Sequence, residues 1–169
     1  MSDDLNKGPF TGGCQCGAIR YRVEGPLTHA HVCHCRMCQK AAGNYFMPLA
    51  NAQKADFSLT RGTLSVFSSS RDVERGFCAK CGTPLTFDTV SAPHLNLVLG
   101  SLDDPASVKP QMQYGTESKM PWLAGLDTLP AEATEDSPDQ DGVPLEVIQQ
   151  SNSQHPDHDT DNWPPEDRT

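Results

Sequence analysis

GGCQCGAIRYRVEGP (12–26) carries three signals in a row. Cys14 and Cys16 form a C-x-C. Ile19, Tyr21 and Val23 then alternate with Arg20, Arg22 and Glu24, the period of a strand with one buried face. Gly25-Pro26 closes it as a turn pair. A strand with paired thiols just before it points to a small β domain stapled by metal.

The strand signal recurs outward from this stretch. NYFMPLA (44–50), DFSLTRG (56–62), TLSVFSSS (63–70), PLTFDTV (84–90) and LNLVLGSLDD (95–104) are apolar runs closed by polar or breaker residues. In the third of these, Leu64 and Val66 are expected on one side. Only RMCQKAA (36–42) reads as a short helical turn. Fourteen prolines and thirteen glycines agree with a loop-rich, mainly β fold of short antiparallel strands.

Charge divides the chain. Residues 132–169 hold eleven acidic side chains and one basic, Arg168, whereas the remaining 131 residues hold eleven acidic and twelve basic. The acidity belongs to a tail, and the nearly neutral body offers no basic footprint for nucleic acid. The expected organisation is a flexible N-terminus over 1–8, a domain over 9–132 and a disordered acidic tail over 133–169. The tail is too poor in apolar residues to offset its ordering entropy. LEVIQQ (145–150) is its one apolar island, and for His155, His158 and the nearby aspartates a solvated tail is the favoured reading over a weak metal site. No run approaches the ~20 apolar residues of a membrane span. MSDDLNKGPFTGG has neither the basic start nor the apolar run of a secretory signal. A cytoplasmic location is expected, where thiols stay reduced.

Seven cysteines divide as four plus three. Cys14 and Cys16 are expected on one strand face, gripping one ion together. Cys78 and Cys81, in CAKCG (78–82), read as a zinc knuckle whose Gly82 lets the backbone turn tightly. Two such half-sites make a closed four-thiolate zinc. The central stretch HVCHCRMCQK (31–40) holds Cys33, Cys35 and Cys38. Cys33 and Cys35 are expected to share a strand face, with His34 pointing the other way. Three thiolates on Zn²⁺ leave a fourth position for water or an incoming thiol, where the ion acts as a Lewis acid. At this level a histidine, His29, His31 or His34, remains a rival fourth ligand. Arg36, Gln39 and Lys40 flank the cluster as candidate anion contacts or as a solvated helical face. Arg71 and Arg75 point either to the same region or to water. PWL (121–123) is expected to pack as the seal of the domain end.

GGCQCGAIRY, CHCRMCQKAAG, FCAKCGTPL, GSLDDP and KMPWL together resemble, in order and spacing, the glutathione-dependent formaldehyde-activating enzyme family, whose domain also occurs in centromere protein V. The resemblance spans about residues 9–132. It implies a small β-tent fold with two zinc ions. Cys14, Cys16, Cys78 and Cys81 match the structural zinc ligands, and Cys33, Cys35 and Cys38 match the catalytic ones. The implied reaction joins glutathione to formaldehyde to give S-hydroxymethylglutathione, a carbon–sulfur lyase step in reverse. Arg36 or Lys40 is then placed to hold a glutathione carboxylate. The alternative is a non-enzymatic zinc-stabilised protein-binding module. A methionine sulfoxide reductase ranks third, because it needs a redox cysteine apart from the metal clusters. The oligomeric state is not legible in the sequence.

Overall fold

The computed structural model describes residues 7–136, 139–140 and 142–164. The expectation for 1–8 lies mostly outside these residues. Ten strands build the body: β1 (Phe10–Gly13), β2 (Arg20–Val23), β3 (Thr28–Cys33), β4 (Met47–Gln53), β5 (Phe57–Arg61), β6 (Ser65–Ser70), β7 (Val73–Phe77), β8 (Pro84–Thr89), β9 (His94–Val98) and β10 (Met112–Tyr114). One helix, α1 (Arg36–Ala42), lies between β3 and β4. A three-stranded sheet has the order β1-β2-β5, and a seven-stranded sheet has the order β10-β3-β4-β9-β8-β7-β6. All pairs are antiparallel except β10 with β3. The mainly β expectation and the one short helix are therefore both present.

The alternation in β2 works as its period requires. Ile19, Tyr21 and Val23 are each no more than 2% exposed. They join Leu27, Ala50, Leu85, Leu97 and Val108 in the main core. Gly12 permits this packing, because a Cβ there would lie 2.4 Å from both the Tyr21 hydroxyl and the Ser101 carbonyl oxygen. Arg20 departs from the alternation and is only 3% exposed. Its guanidinium makes a two-pronged pair with Asp103, at 2.7 and 2.6 Å, and also reaches Asp159 at 2.7 Å. Opposite charge and a planar fork let an arginine occupy a position that period-2 reading assigns to solvent.

A second, smaller apolar cluster joins Cys38, Met47, Leu49 and Val98, with Cys33, Cys35, Ala42 and Phe87 packed against it. Val66 and Phe67 on the edge strand β6 remain exposed. The expected side preference of Val66 is thus not used for burial. Trp122 is 46% exposed and meets Tyr45 edge to face at 4.5 Å, so PWL does not seal a core.

Of the tail, the described residues are mostly exposed. It carries a two-stranded ribbon, β11 (Asp139–Gln140) with β12 (Val143–Pro144), and a helix, α2 (Leu145–Ser151). One stretch returns to the body. The His155 amide donates to the Gln15 carbonyl at 2.7 Å, and Trp163 Nε1–H donates to the Cys16 carbonyl at 2.7 Å. His155 is 3% exposed there.

Candidate metal centre and active site

β1 ends at Gly13, and the chain then turns rather than running on extended. The Gly17 amide donates to the Cys14 carbonyl, and the Ile19 amide donates to Cys14 Sγ at 3.2 Å. The knuckle closes similarly, with the Gly82 amide on the Cys78 carbonyl at 2.8 Å. Gly82 has φ of 79°, and nothing lies within 4 Å of where its Cβ would be. Glycine is needed there for the left-handed backbone and not for clearance. The sulfurs of Cys14, Cys16, Cys78 and Cys81 all lie within 4.8 Å of one another. Cys14 to Cys16 is 3.7 Å, and Cys16 to Cys78 is 3.8 Å. A disulfide would bring two sulfurs to about 2.0 Å. A tetrahedral ion with metal–sulfur bonds of about 2.3 Å spaces them about 3.8 Å apart. The four-sulfur set fits such an ion.

The second set forms where β3 meets α1. β3 is held between β10 and β4, with Cys33 opposite Tyr114 and Met47. β3 ends at Cys33, and Cys35 is the N-cap of α1, its Sγ accepting from the Cys38 amide at 3.5 Å. The Cys33, Cys35 and Cys38 sulfurs lie within 4.8 Å of one another, with Cys33 to Cys35 at 3.4 Å. The strand-face geometry expected for both C-x-C pairs is therefore absent. A turn converges the first pair, and a strand end with a helix cap converges the second.

Among the described residues, no histidine or carboxylate joins either set. His34 is 3% exposed and aims Nε2 at Gln113 Oε1, 3.2 Å away, while its ring meets Phe46. His31 Nδ1 faces the His29 carbonyl, and His29 Nε2 bonds the Tyr114 hydroxyl. The three histidines that rivalled the open position are thus engaged elsewhere.

Burial pushes the metal-free Cys14 and Cys33 thiols up to about 12, and it raises Cys38 as well. Burial also acts on Cys81 and Cys35, but hydrogen bonds outweigh it. Thr83 and the Cys16 backbone draw Cys81 down to about 6, and the Cys38 amide takes Cys35 below its ordinary value. A bound cation deprotonates such thiols outright, so loading either set releases protons.

Arg75, on β7, is the residue whose position sequence reasoning left open. It is 7% exposed and places a guanidinium nitrogen 3.6 Å from Cys38 Sγ. A cavity of about 740 Å³ is lined by Arg75, Met47, Phe67, Phe77, Arg36 and Lys40, among others. Arg36 bonds Gln39 Oε1, and the buried Gln39 donates to the His34 carbonyl at 2.6 Å and the Ser118 carbonyl at 2.9 Å. Arg36 and Lys40 are both exposed and both line this cavity. Arg71 is also exposed and lies outside this lining. A larger cavity, about 970 Å³, lies near Cys16 and Cys78 against the C-terminal segment.

The model of the glutathione-dependent formaldehyde-activating enzyme family matches residues 9–118, which include every cysteine described above. The chain belongs to this family. It is 28% identical over 122 residues to a putative glutathione-dependent formaldehyde-activating enzyme of Halomonas elongata, covering 66% of this chain and 78% of that protein. It is 32% identical over 78 residues to an uncharacterized lyase of Schizosaccharomyces pombe, covering 46% of this chain and 56% of that protein. A crystal structure of a Rhodobacter sphaeroides protein shares the fold, with a TM-score of 0.50 and 24% identity over 62% of this chain and 98% of that one. The formaldehyde-activating family match stops before the acidic tail, so His155 and Trp163 lie beyond it while their partners Gln15 and Cys16 lie within it.

Proposed function

We propose that this protein is a zinc-dependent carbon–sulfur lyase that joins glutathione to formaldehyde and releases it again. Family membership supports this reaction class. The observation that carries the reading is the three-sulfur set, which no histidine or carboxylate completes among the described residues. Cys14, Cys16, Cys78 and Cys81 are assigned as ligands of a structural zinc, and Cys33, Cys35 and Cys38 as ligands of a catalytic one. The second ion, when bound, supplies Lewis acidity that favours the thiolate form of an incoming thiol.

In the forward direction the glutathione sulfur forms a bond to the formaldehyde carbon. The carbonyl π pair moves to oxygen, and the proton lost by the thiol ends there. Arg36 and Lys40 are assigned to glutathione carboxylates, because they bring two cations to the lining of one cavity. Met47, Phe67 and Phe77 give the same cavity an apolar wall beside these cations. A cytoplasmic setting, where thiols stay reduced, suits seven cysteines committed to metal.

Exchange between formaldehyde and S-hydroxymethylglutathione, followed by NMR with labelled formaldehyde, tests the reading. The wild-type zinc protein is expected to accelerate exchange, and Cys35→Ser to lose that acceleration. Equal rates with and without the wild-type protein would overturn it.

A further inference from the structure

A buried cation needs a counter-charge, and the surroundings of Arg75 offer one candidate. Its Nε donates to Ser69 Oγ at 3.1 Å. One terminal nitrogen faces Met47 Sδ and the other faces Cys38 Sγ, each at 3.6 Å. The guanidinium carbon stands 4.8 Å from the centre of the Phe87 ring. No carboxylate among the described residues pairs with it. A hydroxyl and a thioether are neutral, and an aromatic face attracts a cation without cancelling its charge. Of these neighbours, only Cys38 can be an anion.

We propose that Arg75 is the counter-charge of the three-thiolate centre and the residue that sets its appetite for a further anionic sulfur. Three thiolates around a divalent ion leave one negative charge, and a fourth thiolate would make two. The Arg75 guanidinium cancels one of these from the cavity side. It lines the cavity and touches Cys38, whereas no cysteine is in that cavity's lining. Arg75 is thus the bridge between the two. This makes it a positioning residue, acting on the incoming thiolate through charge. The inference rests on the thiol-binding reading only for its second half; the first half concerns the three sulfurs and their ion alone.

The test uses the two-zinc protein, Arg75→Gln and Arg75→Lys. Zinc retention against a chelator is measured without thiol, with the tighter ion serving as an internal control of folding. Arg75→Gln is expected to weaken the second ion by about tenfold or more, leaving the first unchanged, and Arg75→Lys to recover part of the loss. In cobalt-substituted protein, glutathione is expected to bind Arg75→Gln at least about tenfold more weakly than wild type. If Arg75→Gln does not fold, Ser69→Ala, which frees the guanidinium from its far anchor, is expected to shift both readouts the same way by a smaller factor. Second-ion retention within twofold of wild type in these variants would overturn the proposal. Equal weakening by Gln and Lys would also overturn it, since shape and not charge would then matter. If wild type takes no thiol while Arg75→Gln still loses its second ion, the lyase reading fails and the counter-charge role stands.

Discussion

The two cysteine sets use the same ligand atoms in different settings. Cys14 and Cys78 are buried in the main core, with Cys16 and Cys81 packed against it. Cys33, Cys35 and Cys38 belong to the smaller cluster around Met47 and Leu49. The first set has four sulfurs and joins two segments 62 residues apart. The second has three, spans one local turn and touches a buried guanidinium. The contrast lies in ligand number and place in the core, not in ligand type, and the proposed division into a structural and a catalytic site rests on it.

The sharpest way to break this contrast is to remove one sulfur from each set. A structural zinc contributes about 10–16 kcal/mol to folding, more than most domains can lose. Cys81→Ser is therefore expected to abolish the cooperative melt seen by circular dichroism. Cys35→Ser is expected to keep the melt while formaldehyde exchange falls by more than about a hundredfold. If both variants unfold alike, the two sets are both staples.

Next in size is the ion pair on the strand that follows the Cys14–Cys16 turn. Arg20 follows the Cys14–Cys16 turn and is buried against Asp103. Asp103→Asn leaves that guanidinium short of a partner, and chemical denaturation is expected to report a loss of about 3 kcal/mol. Burial pushes the Asp103 carboxyl up, but hydrogen bonds from Arg20 and Thr11 outweigh it and hold the group below its ordinary value. The pair therefore adds stability above about pH 4, and that stability falls away as pH drops through the lower folded-state value. The difference between wild type and Asp103→Asn is expected to shrink in the same window.

Smaller effects sharpen the picture at each end. Arg36→Ala and Lys40→Ala are each expected to raise the glutathione Kd by about tenfold, one lost charged hydrogen bond. Isothermal titration reads this directly, and an unchanged Kd in both would remove them from the site. Asp159 is 51% exposed, so Asp159→Asn is expected to cost less than about 1 kcal/mol in the same denaturation assay.

The division of cysteines was legible from count and spacing, and so were the helix over Arg36–Ala42 and the buried face of β2. The way the sulfurs converge was not. Strand parity assumes an extended chain, and the backbone leaves the strand at Gly13 and again at Cys33. His34 still points away from the sulfurs, but Gln113 and Phe46 hold it there. β7 escaped notice because VERGF places charges at Glu74 and Arg75 in its middle. Arg75 is buried for a reason visible only in space, the sulfur that lies 37 residues away along the chain. Arg20 is buried for a similar one, since Asp103 sits in GSLDDP far downstream.

The account stands on the second set being able to accept a fourth sulfur. Titrating glutathione into the cobalt-substituted protein, and following the thiolate-to-metal absorption band, tests this most directly. The expected result is a band that grows and saturates at one glutathione per chain in wild type. A band unchanged across the titration would contradict the account.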